Sequence, residues 1–227
     1  MNKEELLSMP QSIDAIGQAA IDYFSLKHAA RELALPKSRA AIRFCANSIR
    51  AVHRHDFALA TELRTQAAKL LTEMANDLRD HQDIFFAGFV QDAQKEYTEA
   101  VSFAALAQQQ PLPTPKELNI GYAPFLNGLA EAVGEMRRYV LDQLRLGNFE
   151  HCEAYLNSMD DIYALLTTID FPDAITGGLR RTTDATRGIL EKTRGDLTTA
   201  VSQAHLERSM QNLYQELQHY QDKKSEK

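Results

Sequence analysis

Apolar positions recur along this chain at intervals of three and four, the spacing of one face of an α-helix. The pattern predicts a first helix over 11–34, closed by Pro36, and a second over 37–54. Asp56 is placed to cap a third, over 57–80. A fourth covers 83–108 and is followed by Gln110-Pro-Leu-Pro-Thr-Pro115, the clearest loop of the chain. A fifth spans 124–146 and stops at Gly147, with Asn148 placed to cap a sixth over 149–167. After a turn at Asp170–Asp173, a seventh runs over 174–221, with Gly177, Gly178, Gly188 and Gly195 as weak points. The tail 222–227 is expected to be disordered. No segment alternates as a strand does, so the expected fold is all-α, one antiparallel bundle of seven helices in a single domain over 1–227. The turns at His53–Phe57 and Leu146–Phe149 are alike and suggest two similar helical hairpins.

Composition sharpens this. Ten glycines and seven prolines in 227 residues leave few turns, hence long elements. Two cysteines, Cys45 and Cys152, exclude a disulfide scaffold and are expected to be reduced and buried. No stretch is long and apolar enough to span a membrane, and the N-terminus has acids where a signal peptide has bases. A cytoplasmic protein is expected. The formal charge of −6 argues against bulk polyanion binding but permits a local basic stripe.

The candidate chemistry lies on three helices. Phe85, Phe89, Asp92, Glu96, Glu99 and Phe103 are spaced 4, 3, 4, 3, 4, one line along the fourth helix. Phe86, Val90, Ala93, Tyr97, Ala100 and Ala104 form an apolar line beside it. Carboxylates within a line of phenylalanines need a compensator: a metal ion, an arginine or a shared proton. In the sixth helix Glu150, Glu153, Asn157 and Asp160 run beside an apolar line from Phe149 to Leu166. Glu96/Glu99 and Glu150/Glu153 meeting across a bundle would suit magnesium or manganese, which favour oxygen ligands. The alternative is two solvated acidic faces. A di-iron bundle needs two ExxH pairs, and only Glu216…His219 has that spacing. In the second helix Arg39, Arg43, Arg50 and Arg54 form one stripe opposite Ile42, Cys45, Ile49 and Val52. With no acid between Pro36 and His55, the stripe reads as a phosphate-binding surface. A face paired to acids of a neighbouring helix is the alternative.

The run Glu96-Tyr-Thr-Glu-Ala-Val-Ser-Phe103 resembles the signature of the translin superfamily, nearest its translin-associated factor X (Trax) branch. The likeness continues through Asn127–Arg138, Leu146–Glu150, Met159–Tyr163 and Gly178–Leu197, and covers about 37–201. It implies a seven-helix bundle that assembles into a hollow homo-oligomer, often an octamer, and binds RNA or DNA. Trax-like members are magnesium-dependent endoribonucleases acting on single-stranded RNA inside the shell. By similarity the catalytic acids fall on Glu96, Glu99 and Glu150, with Glu153 as a further metal ligand. The third family acid is usually an aspartate, and a further one would fall on Ala154. The expected function is RNA binding with metal-dependent cleavage. A non-catalytic RNA- or DNA-binding protein of the translin type is the alternative, and a purely structural helical assembly the third possibility.

Overall fold

In the computed structural model, which describes residues 3–225 with side chains from 13 to 222, every regular element is helical. Six long helices carry the fold: α1 (Lys3–His53), α2 (Phe57–Asp77), α4 (Gly88–Ala107), α6 (Tyr122–Arg145), α7 (Cys152–Thr167) and α9 (Leu179–Ser225). Three four-residue helices, α3 (Gln82–Phe85), α5 (Pro115–Leu118) and α8 (Asp173–Thr176), sit in the connections. The all-α expectation holds, while the count of seven does not.

The first two predicted helices are one, because Pro36 does not end α1. A proline inside a helix deletes one backbone hydrogen bond and crowds the preceding turn. Tertiary contacts on both sides offset that cost here. Ala34 is fully buried, the buried Ser38 donates to the Phe89 carbonyl at 2.7 Å, and Lys37 pairs with Asp77 at 2.6 Å. The fourth predicted helix is split instead. Ala87 is extended (φ −71°, ψ 153°), so Phe85 belongs to α3 and Phe86 is exposed rather than part of the apolar line. Asp56 caps α2 as expected, its carboxylate accepting from the Leu59 N–H at 3.1 Å. Asn148 does not cap α7, which starts at Cys152; residues 149–151 form a turn. The last predicted helix is α8 and α9, separated by Gly177 (φ +64°) and Gly178 (φ +83°). α9 continues straight through Gly188 and Gly195, and 222–225 extend it rather than being disordered; 226–227 lie outside the described residues.

Both tight turns rest on a left-handed residue, His55 (φ 59°) and Gly147 (φ 76°). They make α1/α2 and α6/α7 antiparallel hairpins. α1, α4 and α6 instead run the same way: Ser38 meets Phe89, His53 meets Phe103, and Lys95 meets Glu131. The Pro-rich segment and α5 return the chain to the start of α4, which makes that parallel pairing possible. α9 lies alongside α6 in the same sense, from Asn127–Thr182 to Arg137–Asp196. The main core joins α1, α2, α4, α6, α7 and α9 around Phe103, Leu129, Val133, Met136 and Met159. A smaller one gathers Ala30, Ala34, Met74, Leu78, Ile84 and Val90. Among the described residues no helix is long and apolar enough to cross a membrane.

Candidate metal centre

Gly128 positions the site. A Cβ there would lie 2.3 Å from the Lys95 carbonyl oxygen and 2.8 Å from the Thr98 Cβ, distances that real contacts do not reach. Only glycine lets α6 approach the backbone of α4 so closely. One turn later on α6, Glu131 therefore arrives beside Glu96 and Glu99 of α4. Glu96, Glu99 and Glu131 each offer a carboxylate oxygen within 4.8 Å of the others, and all three are half-buried. Lys95 donates to Glu131 at 2.8 Å and holds it from the side.

The group carries surplus negative charge. Burial and the neighbouring Glu96, Glu131 and Glu135 push the Glu99 carboxyl up to about 8. Glu96 is raised too, by burial and then by Glu131 and Asp92, with Lys95 acting against them. Lys95 shows the same field from the other side. Burial opposes its charge, but the hydrogen bond and charge of Glu131, with Glu96 and Asp92, more than offset this and raise it. From α1, Cys45 faces the pair, and its thiol is pushed up to about 12 by burial and by the charges of Glu96 and Glu99. Both cysteines are free and buried, as expected. Behind Glu99, Glu135 pairs with Nε2 of the buried His53 at 2.5 Å.

Two adjoining grooves open on Glu131. One of 230 Å³ lies between α4 and α6, with Asp92, Lys95 and Asn127 in its wall. The other, of 410 Å³, lies between α6 and α9 and includes Arg181 and Thr182. Asn127 ties the two walls together. It donates to the Thr176 carbonyl at 2.8 Å and accepts from the Thr182 hydroxyl at 2.8 Å. Arg181 makes no ion pair among the described residues, whereas its neighbour Arg180 pairs with Asp170 at 2.7 Å.

The structure brings together Glu96 and Glu99 but not Glu150 or Glu153. Glu150 is exposed on the turn after α6, in a 570 Å³ hollow with Gln143, His151 and Arg208. Gln143 is roughly 18 Å of helix rise away from Glu131, so Glu150 sits at the far end of α6 from the site. Glu153 is exposed on the outer face of α7, and Asp160 of the same line pairs with Arg194 at 2.7 Å. That acidic line is a solvated face. Glu131 is the third carboxylate of the cluster instead, and no spacing in the sequence links it to Glu96 and Glu99.

The arginine stripe is placed as the spacing predicts. Arg39, Arg43, Arg50 and Arg54 are all exposed, and Cys45, Ile49 and Val52 are buried on the other side of α1. No ion pair holds any of the four among the described residues; Arg50 hydrogen-bonds Asn47 on its own helix. The stripe points away from the carboxylates rather than lining them.

No family model matches the chain. It is 33% identical over 201 residues to the uncharacterized protein MJ0175 of Methanocaldococcus jannaschii, a match covering 86% of this chain and 89% of that one. Among solved structures it resembles AfC3PO in a complex with duplex RNA (31% identity, TM-score 0.75) and AfC3PO by itself (32%, 0.75). Apo-NeC3PO shares the fold at 18% identity and a TM-score of 0.72. Each of the three covers 82% of this chain and is itself covered to 96%. With a half-buried carboxylate trio built on Glu96-Tyr-Thr-Glu99 of α4 and Glu131 of α6, and relatives matched over nearly their whole length, the chain belongs to the translin superfamily.

Proposed function

We propose that this chain is a Trax-like, magnesium-dependent endoribonuclease that cleaves single-stranded RNA inside a hollow cytoplasmic homo-oligomer, octameric as in its family. The observation that carries the reading is the trio Glu96, Glu99 and Glu131: three half-buried carboxylates within 4.8 Å, flanked by two further acids and one lysine. Three oxygen donors with surplus negative charge, opening on grooves, fit a hard divalent cation such as magnesium or manganese. The relation to AfC3PO, a protein seen with duplex RNA, supports RNA as the substrate class.

A bound magnesium supplies an activated water and neutralises charge gathering on a phosphate. The chain's own residues do the rest. Glu96, Glu99 and Glu131 would hold the ion, and Lys95 fixes Glu131 in register, while among the described residues no cation hydrogen-bonds Glu96 or Glu99. Glu99, whose carboxyl burial and neighbouring acids push up to about 8, would give up its proton on holding the ion. Arg181, in the adjoining groove, receives a neighbouring phosphate. Arg39, Arg43, Arg50 and Arg54 bind the RNA backbone with little base preference, since guanidinium–phosphate contacts carry no sequence information.

Labelled single-stranded RNA, incubated with wild type in magnesium or EDTA and with Glu96→Gln and Glu99→Gln, tests this. Cleavage in magnesium alone, lost in both variants while RNA binding persists, is the expected result. RNA retained but uncut by wild type would leave a non-catalytic binding protein of the translin type, for RNA or DNA. Variants that cut as well as wild type would refute the site.

A further inference from the structure

Three side-chain amides and two aromatic rings meet in a hollow that the carboxylate trio does not use. The hollow, of 390 Å³, lies where α3, α5 and the start of α4 converge, and Phe85, Phe86, Gln91, Gln94, Lys116 and Asn119 line it. Ala87, extended between two helices, turns Phe86 out of the apolar line. Its ring is 65% exposed and stands edge-on to Phe85, with centroids 5.2 Å apart. The α5 wall is stiff: Thr114 and Glu117 cap α5 reciprocally, and Asn119 closes it in the left-handed conformation (φ 54°). Gln94 is only 6% exposed, yet its amide nitrogen donates to nothing among the described residues, and its oxygen has one long contact, 3.5 Å from Gln91. The Asn119 side-chain amide is likewise unpartnered among the described residues. An amide as buried as Gln94 is normally satisfied, so its free donor points to a ligand.

We infer that this hollow is a nucleobase subsite for single-stranded RNA, in which an unpaired base stacks on Phe86 while the amides of Gln91, Gln94 and Asn119 bond its edge. The inference rests on RNA being the ligand, as in the proposed function. Three observations select the occupant. The first is chemical: a carboxamide presents a donor and an acceptor side by side, the pattern that base edges offer, and exposed rings stack on unstacked bases. The second is size, since 390 Å³ lies in the range of small-molecule sites and admits a nucleoside. The third is position. Gln91 also walls the 230 Å³ groove that opens on Glu131, and it precedes Glu96 by roughly 7 Å of helix rise. A strand with a phosphate at the carboxylate trio therefore lays a neighbouring base into the hollow. Lys116, exposed and in no ion pair among the described residues, supplies a charge for that nucleotide's phosphate. A base already paired and stacked within a duplex cannot enter, so the subsite selects single strands.

The chain has no tryptophan, so Phe86→Trp introduces a single fluorescent reporter at the stacking position. Leu146→Trp, at a site 62% exposed just past the far end of α6, is the control. The full-length protein is titrated with a single-stranded oligoribonucleotide in EDTA, and wild-type binding is followed by anisotropy of the same labelled strand. The strand should quench Phe86→Trp with the midpoint of wild-type binding and leave Leu146→Trp unquenched. Phe86→Ala should bind the strand about tenfold more weakly, the loss of one base stack, and keep its affinity for duplex RNA. Binding of the strand without quenching of Phe86→Trp, equal quenching of both reporters, or a Phe86→Ala affinity that falls for neither RNA or equally for both would overturn the subsite while leaving RNA binding intact. No binding of either RNA by wild type would overturn the subsite and the RNA reading together.

Discussion

Glu99 is the group whose behaviour follows most directly from the geometry. Its carboxyl is raised from an ordinary 4.5 to about 8 by burial and by Glu96, Glu131 and Glu135. Between those values the folded chain keeps a proton on Glu99 that the unfolded chain has released. The associated stability is therefore fully present below pH 4.5 and drains away as pH rises toward 8. At ~1.4 kcal/mol per tenfold change in proton affinity the shift is worth roughly 5 kcal/mol, and relaxation of a half-buried group reduces this to roughly 2–4 kcal/mol. Glu99→Gln keeps the shape and removes the charge. Thermal melts of wild type and Glu99→Gln in EDTA, from pH 5 to pH 9, measure the effect. The two should coincide near pH 5, and the variant should melt higher by about 5–10 °C at pH 9, since ~1 kcal/mol moves a domain of this size by ~2–4 °C. Magnesium should restore much of the wild-type loss at pH 9 and do little for the variant. Parallel melting curves across the pH range, or a variant less stable at pH 9, would mean that Glu99 is not held protonated by its buried, acidic surroundings.

Replacing Arg39, Arg43, Arg50 and Arg54 together by glutamate should weaken single-stranded RNA binding and lower its salt dependence by about 3 in log–log slope, at ~0.7 per phosphate contact. An unchanged slope would remove the stripe from the interface. Gly128→Ala should destabilise the fold by ~1–3 kcal/mol, because its Cβ would meet the Lys95 carbonyl at 2.3 Å. It should also weaken magnesium binding by spreading Glu131 from Glu99, and normal melting with normal calorimetric affinity would contradict that. Asn127→Ala should cost ~1–3 kcal/mol in denaturant unfolding, by leaving the Thr176 carbonyl without its donor.

Much of the fold was legible because its signals are local. Asp56 announces the start of α2, Gly147 the end of α6, and the heptad-like apolar lines give helix faces directly. Pro36 misled because its cost is local and its compensation is not: Ser38 and Lys37 are held by Phe89 and Asp77, far away in sequence. The same distinction governs the site. Glu96 and Glu99 share a helix, so spacing exposes the pair. Glu131 joins them only through a close approach of α4 and α6 that Gly128 permits, and a glycine in mid-helix does not declare which backbone will come near it. The family resemblance points to Glu150, which also stands beside an apolar line, but periodicity says which face a residue occupies and not which end of the bundle it reaches. The arginine stripe needed no long-range information beyond the absence of acids around it, and the structure leaves it unpaired.

Under the proposed function, Glu96, Glu99 and Glu131 together would hold the ion with which RNA is cut. The most direct measurement is magnesium-dependent RNA cleavage by Glu131→Gln and Glu150→Gln, side by side with wild type. Glu131→Gln should abolish cleavage, and Glu150→Gln should cut within about twofold of wild type. A Glu131→Gln variant that cuts normally, or a Glu150→Gln variant that does not cut, would contradict that set of ligands.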